Sequence, residues 1–483
     1  MCVRIIVNFG TRILNDYNTH NIYHMCSRNV SSILNVFSTS SASRTLKSVA
    51  VALLVTLLGV PVCAQEPDML SDEYYQWTEV KRVELSKGVV YSHYSWNNVP
   101  RNMHVLEIDL RRRDVEVLPV VANDIIPNPN GNNNKLNGFC IRETLSGICS
   151  RYNEQGQNIL AGINACGFDS HLGYVRGIIV SDGEPIYQNH PQIRERYGYP
   201  HTWCFTVFKD RTAAVGQKEF YGAIKIGKEE IEYHAINDYI LRGDDVGSPV
   251  NIYTSRYKRI PHENVNLINP LLAHGVVYVV AEYEKGPMRV NCGYSKSRVV
   301  EIYDGRKESL SKLPYLEKSN QVGIQLRGEA ADKVMASLKL GDKISLKADM
   351  IVGGVKKPIV AMVNTLHRFL HKGVDKSSEN LGPNDSNLTK HNPMTFVTIS
   401  KDGRKIWLVE VDGRRKESRG MKSIEMAQTS LRLGGYEMTR FDGGGSSAMW
   451  VKDCGGLVSV PSDRKGERSC LSYILIQTIE RRK

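Results

Sequence analysis

Ile406-Trp-Leu-Val-Glu-Val-Asp-Gly-Arg414, then Ser423-Ile-Glu-Met-Ala-Gln-Thr-Ser-Leu-Arg-Leu433, then Met438-Thr-Arg-Phe-Asp-Gly-Gly-Gly-Ser-Ser447 is the stretch on which the fold turns. The first run is apolar and ends in Asp412, as a buried strand would. Ile424, Ala427 and Leu431 share one helical face. Ser423 is placed to cap that helix, and Gly434-Gly435 to end it. Met438 to Phe441 reads as a second short strand ending in Asp442, with Ala448 to Val451 strand-like beyond it. Strand, helix and strand in this order predict an α/β unit with both aspartates at one cleft. Three consecutive glycines let backbone approach closely. Their amides can converge on an anion, with Ser446 and Ser447 as further donors. Plain chain reversal also accounts for the glycines, turn chemistry for Asp412, and the helix dipole for Glu425.

Working outward, period-two or apolar runs predict strands at 105–110, 115–120, 159–163, 176–180, 205–208, 224–226, 250–254, 276–283 and 344–348. Helices are predicted at 142–152 and 330–338, and Asp182-Gly183 signals a hairpin turn. Residues 127–138 and 375–392 are polar loops. The aromatic-rich segment 65–103 reads as a short helix followed by a strand. The expected fold class is α+β or mixed α/β: a single large domain, 104–483, with mixed β-sheets, a few helices and a small N-terminal addition.

Val49 to Val60 is an apolar run of 12 residues behind Arg44 and Lys47. It is shorter than the roughly 20 residues that a bilayer span needs, and it suits a signal-peptide core. Val62-Cys63-Ala64 places small residues before a cleavage at Gln65. Residues 1–64 are therefore read as a leader, with Met25 as an alternative start. The expectation is an exported protein, periplasmic or secreted, with no stable membrane span once the leader is removed.

The 483 residues are 41% hydrophobic and 24% charged, with a net charge of +12. This is ordinary globular composition, and the basic excess is scattered. It points weakly to an anionic partner and argues against nucleic acid. Seven cysteines follow the leader: Cys140, Cys149, Cys166, Cys204, Cys292, Cys454 and Cys470. Cys140/Cys149 and Cys454/Cys470 are close enough to close small loops, and export favours structural over catalytic cysteines. No Cys-x-x-Cys motif or Cys/His cluster marks a zinc site.

Asp412-Gly-Arg414, Gly420-Met421, Glu425-Met-Ala427 and Phe441-Asp-Gly-Gly-Gly-Ser-Ser447 together resemble the phosphodiester glycosidase domain family. The resemblance extends to Ala161-Gly-Ile-Asn164 through Phe168-Asp169, to Gly177 through Gly183, and to Val460-Pro-Ser-Asp463 with Glu467-Arg468. It covers roughly 104–480. Three places depart from the family pattern. Ala165, Cys166 and Gly167 stand where the family has two glycines and a phenylalanine. Met362-Val-Asn-Thr365 replaces a glycine-rich segment. Pro393-Met394-Thr395 lacks the arginine of the family's Pro-Arg-Thr.

The resemblance implies hydrolysis of a sugar-1-phosphodiester at the anomeric carbon, with a phosphate monoester leaving. Asp442 is the first choice for the carboxylate acting on that carbon and Glu425 the second. Asp412 either assists or orients Arg414. Arg414, Gly443, Gly444, Gly445, Ser446 and Ser447 would hold the phosphate. Asn164 and Asp169 would bind sugar hydroxyls or a divalent cation, and Asp412 could hold such an ion instead. No other cofactor is implied; the partner is a sugar-phosphodiester or phosphoglycan. Two alternatives stay open: an inactive phosphoglycan-binding module, and a metal-dependent phosphodiesterase cleaving P–O, which needs a denser His/Asp set.

Overall fold

The strand Lys405–Val411 carries β-branched and aromatic residues and pairs on both sides. It runs antiparallel to Asn102–Asp109 and to Met394–Ile399. Its side chains alternate between two cores, as a pleated strand buried on both faces requires. Ile406 and Leu408 face one core with Leu106, Ile108, Val397 and Ile399. Trp407, Val409 and Val411 face the other with Met103, Val105, Phe396 and Met426. The computed structural model describes residues 69–126, 142–168, 175–189, 203–238, 250–255, 258–259, 275–307, 316–379 and 386–479. The compact unit Pro67–Lys483 contains them all. The proposed leader, Cys140, Asp169 and the whole 127–138 loop lie outside the described residues.

Three large sheets build the unit. An eight-stranded sheet includes Trp77–Ser86, Val89–Trp96, Asn102–Asp109, Lys405–Val411, Met394–Ile399 and Glu437–Arg440, in that spatial order. The helix Ser423–Arg432 packs on one face through Met426. A five-stranded sheet lies against the other face, burying Ala161, Ile163, Ile474 and Ile476 there. The helix Leu145–Glu154 covers the far side of that sheet through Leu145, Ile148 and Cys149. A twelve-stranded sheet contributes Phe205, Val207, Ala361 and Val363 to the shared core, and the helix Gly328–Met335 packs on its own separate core.

This architecture corrects the expected fold class. Half of the described residues are strand and 12% are helix. Among the described residues only two short strand pairs are parallel. The physical reason lies in the stretch read first. Lys405–Val411 and Glu437–Arg440 do run in the same direction through the helix Ser423–Arg432, but Met394–Ile399 lies between them, antiparallel to both. The aromatic-rich segment is likewise not a helix with a strand. Trp77–Ser86 and Val89–Trp96 form an antiparallel hairpin at the sheet edge. Most side chains of Trp77–Ser86 are solvent-exposed or half-buried, so the strand shows no alternation.

The Asp182-Gly183 turn is as expected. Both residues have positive φ (48° and 80°), and they join Ile178–Ser181 to Glu184–Gln188. Cys454 and Cys470 are both free thiols, as is Cys149, so the loop-closing pair between Cys454 and Cys470 is not formed.

Candidate active site

The glycine loop begins where Glu437–Arg440 ends. Phe441 N–H donates to Thr395 O at 2.9 Å and Asp442 N–H to Ala165 O at 3.0 Å, so the loop is tied to two sheets at once. Asn164, the last residue of its strand, completes the tie. Its Nδ2 donates to Asp442 O at 2.8 Å, and its Oδ1 accepts from Thr395 Oγ1 at 2.8 Å and from Ala448 N–H at 3.1 Å. Asn164 is thus engaged on both ends of its amide and acts as a clamp on the loop.

Gly444 takes a φ of +64°, which L side chains rarely adopt, and starts the short turn Gly444–Ser446. Its N–H donates to Pro393 O at 2.9 Å, so this amide is already occupied by the protein. The expected cradle of three glycine amides is therefore incomplete, and guanidinium groups surround the loop. A β-carbon on Gly444 would sit 3.1 Å from Arg414 Nη2, and one on Gly443 would sit 3.7 Å from Arg440 Nη1. One on Gly445 would collide with Arg468 and Asp463. Arg468 is in turn held by Asp463, Nε to Oδ2 at 2.7 Å and Nη2 to Oδ1 at 3.0 Å.

Asp442 lies within reach of two of these cations, Arg440 and Arg468. Burial pushes its carboxyl above the ordinary aspartate value. The Ser446 hydroxyl, the Arg440 charge, the Gly443 N–H and the Arg468 charge act in the opposite direction. Ser446 Oγ also lies 3.4 Å from Arg468 Nη1. The Ser447 hydroxyl is buried without a hydrogen-bond partner among the described residues.

Arg414 itself has a φ of 58°, a costly conformation for a side-chain-bearing residue and one that concentrates at functional loops. Its guanidinium donates to Asn392 Oδ1 at 3.2 Å and 3.3 Å. Asn392 and Met421 pair across a bridge, which threads Asn392 against the loop that carries Arg414.

Glu425 and Asp412 are placed differently. Glu425 is fully buried and ion-paired with Arg101 at 2.6 Å. It accepts from Lys422 N–H at 2.6 Å and from the Tyr74 hydroxyl, and His391 Nε2 lies 3.1 Å away. Burial raises this carboxyl, but His391, Arg101 and Tyr74 together outweigh it and hold the group down at about 2. Asp412 Oδ1 accepts from Val460 N–H at 2.7 Å, and its main-chain oxygen accepts from Ser418 Oγ at 2.6 Å. It thereby fixes the base of the Arg414 loop. The structure thus gathers Asp442, Gly443, Gly444, Gly445, Ser446 and Arg414, with Asn164 behind them, while Glu425 lies in a separate network.

Arg440 was not singled out from the sequence, and Arg468 only as part of the resemblance. Arg440 stands two residues before Asp442 at the strand end, which is the signal that could have found it. Its Nη1 lies 3.3 Å from Met394 Sδ, so a guanidinium stands beside the position where the family's arginine is missing. Cys470 lies close enough to Asp442 and Ser446 to interact with both, and burial pushes its thiol up to about 12, which disfavours the thiolate.

Residues 274–477 match the family model described as phosphodiester glycosidase. No curated protein matches the chain. Among solved structures, a hypothetical protein from Synechocystis aligns with a TM-score of 0.53 at 14% identity, over 83% of this chain and 64% of that one. The chain thus spans about two thirds of that protein's length. A candidate exported protein from Burkholderia pseudomallei K96243 aligns with a TM-score of 0.50 at 18% identity, over 79% and 75% of the two chains. The zebrafish N-acetylglucosamine-1-phosphodiester alpha-N-acetylglucosaminidase catalytic domain aligns with a TM-score of 0.37 at 14% identity, over 84% and 83%. The first two share the fold.

Among the described residues no helix is long and apolar enough to cross a membrane.

Proposed function

We propose that this chain is an exported glycosidase that hydrolyses a sugar-1-phosphodiester at the anomeric C–O bond. One observation carries the reading: the Asp442 carboxyl precedes a glycine turn along which Arg440, Arg414 and Arg468 lie against Gly443, Gly444 and Gly445 in turn. A carboxylate beside a loop lined by three guanidinium groups suits a reaction in which negative charge builds on a departing phosphate. Each guanidinium offers a planar pair of donors to phosphate oxygens. A phosphate monoester leaves as a stable anion, so the site needs charge stabilisation more than a proton donor.

In this reaction Asp442 acts on the anomeric carbon, as nucleophile or as base for water. Ser446 and Gly443 N–H hold its carboxylate in place. Arg414, Arg440 and Arg468, with Ser447, receive the phosphate. Asn164 and Asp412 keep the two loops in register. Glu425, enclosed by Arg101 and Tyr74, holds the start of the helix behind them. The match over residues 274–477 supports the reaction class, and the apolar run before Ala64 supports export.

The test is product analysis on a panel of sugar-1-phosphodiesters that includes UDP-N-acetylglucosamine. Free reducing sugar is the expected product. Release of a sugar 1-phosphate would point to P–O cleavage. Saturable binding without turnover would leave a binding module.

A further inference from the structure

We infer that His104, Glu410 and Asp412 form a binding site for one divalent transition-metal ion of the zinc class, buried between the sheets. The three side chains are 3%, 1% and 2% exposed, and one ligand atom from each lies within 4.8 Å of the others. His104 Nε2 is 3.7 Å from Asp412 Oδ2. A tetrahedral site with bonds of about 2.1 Å places its ligand atoms about 3.4 Å apart, so small side-chain adjustments bring the set to bonding distance.

The strand register makes the cluster. His104 is the direct partner of Glu410 across neighbouring strands, and Asp412 follows two residues later on the same face. Two independent observations point to a ligand. Nε2 of His104 and Oε2 of Glu410 are both buried with no hydrogen-bond partner among the described residues, and both belong to this cluster. Orphaned polar atoms at this depth are costly unless something occupies them. Two carboxylates side by side in the interior also call for a cation or a shared proton. The second feature is the far side of the imidazole. Tyr91 Oη lies 2.9 Å from His104 Nδ1, the outer hydrogen bond that fixes a metal-binding histidine with Nε2 bare. One imidazole and two carboxylates suit zinc or a neighbouring first-row ion better than magnesium or calcium.

Cobalt(II) alone is the probe, added to chelator-treated full-length protein and followed by visible absorption and by bound metal per chain. One equivalent is expected, displaced by zinc, with a rise in melting temperature. His104→Gln and Glu410→Gln should each abolish uptake while keeping the circular dichroism of the metal-free wild type. Tyr91→Phe should weaken binding about 10–100-fold without removing a ligand. If one substitution prevents folding, the other two decide. No uptake by the wild type, or equal uptake by the variants, would overturn the assignment and leave a shared proton in the cluster.

Discussion

Arg101 Nη2 and Glu425 Oε1 lie 2.6 Å apart, and neither side chain is exposed to solvent. The pair joins the start of the strand Asn102–Asp109 to the helix Ser423–Arg432, and Arg101 Nε also donates to Gly420 O at 2.9 Å. Arg101→Met should destabilise the fold by about 3–5 kcal/mol, because it strands a buried carboxylate. Urea unfolding measures this. A loss below 1 kcal/mol would show that the pair is not integral to the fold.

The same carboxylate gives a pH dependence. Its folded value of about 2 lies below the ordinary 4.5, so it contributes stability at pH above 4.5. That contribution, roughly 3 kcal/mol for a shift of this size, is lost as pH falls from 4.5 towards 2. Unfolding free energies between pH 6 and 3 should fall more steeply for the wild type than for Glu425→Gln. Parallel curves would contradict the assignment.

Asp442 must be ionised to act, and its carboxyl is raised by burial. The acid limb of kcat/KM should therefore lie above the ordinary aspartate value. Removing the nearby Arg440 charge takes away a stabiliser of the ionised form, so Arg440→Gln should move that limb to higher pH. A limb that stays in place would separate the two groups.

Arg414 is held by Asn392 and leans on Gly444. Arg414→Ala should lower kcat/KM by about 10²–10³-fold, the usual cost of removing one donor to developing charge. Steady-state kinetics would settle it, and a change confined to KM would make Arg414 a ground-state binder only.

Asn164 holds the loop through three hydrogen bonds. Asn164→Ala should cost about 1–3 kcal/mol and slow turnover by displacing Asp442. Thermal melting and kinetics on the same preparation test both effects. Normal turnover would show that the loop keeps its shape without the clamp.

The stretch 406–447 was legible locally: both strands, the helix and the loop lie where the sequence places them. Topology was not, because Met394–Ile399 inserts between strands that the sequence presents as consecutive. Trp77–Ser86 escaped notice because an exposed edge strand carries no alternation. Around Asp442, the glycines and serines are contiguous and therefore visible, whereas Arg468 and Asn164 reach the loop only through folding. The partners of Glu425 were equally hidden. Nothing near it in sequence announces Arg101 or Tyr74, whose contacts remove its carboxylate from solvent.

Asp442 is proposed to direct cleavage between the anomeric carbon and the phosphate oxygen. Hydrolysis of a turned-over sugar-1-phosphodiester in ¹⁸O-labelled water tests it directly, with Asp442→Asn as control. Label at C1 of the released sugar, unlabelled phosphate monoester, and loss of turnover in the folded variant are expected. Label in the phosphate, or undiminished turnover by Asp442→Asn, would contradict it.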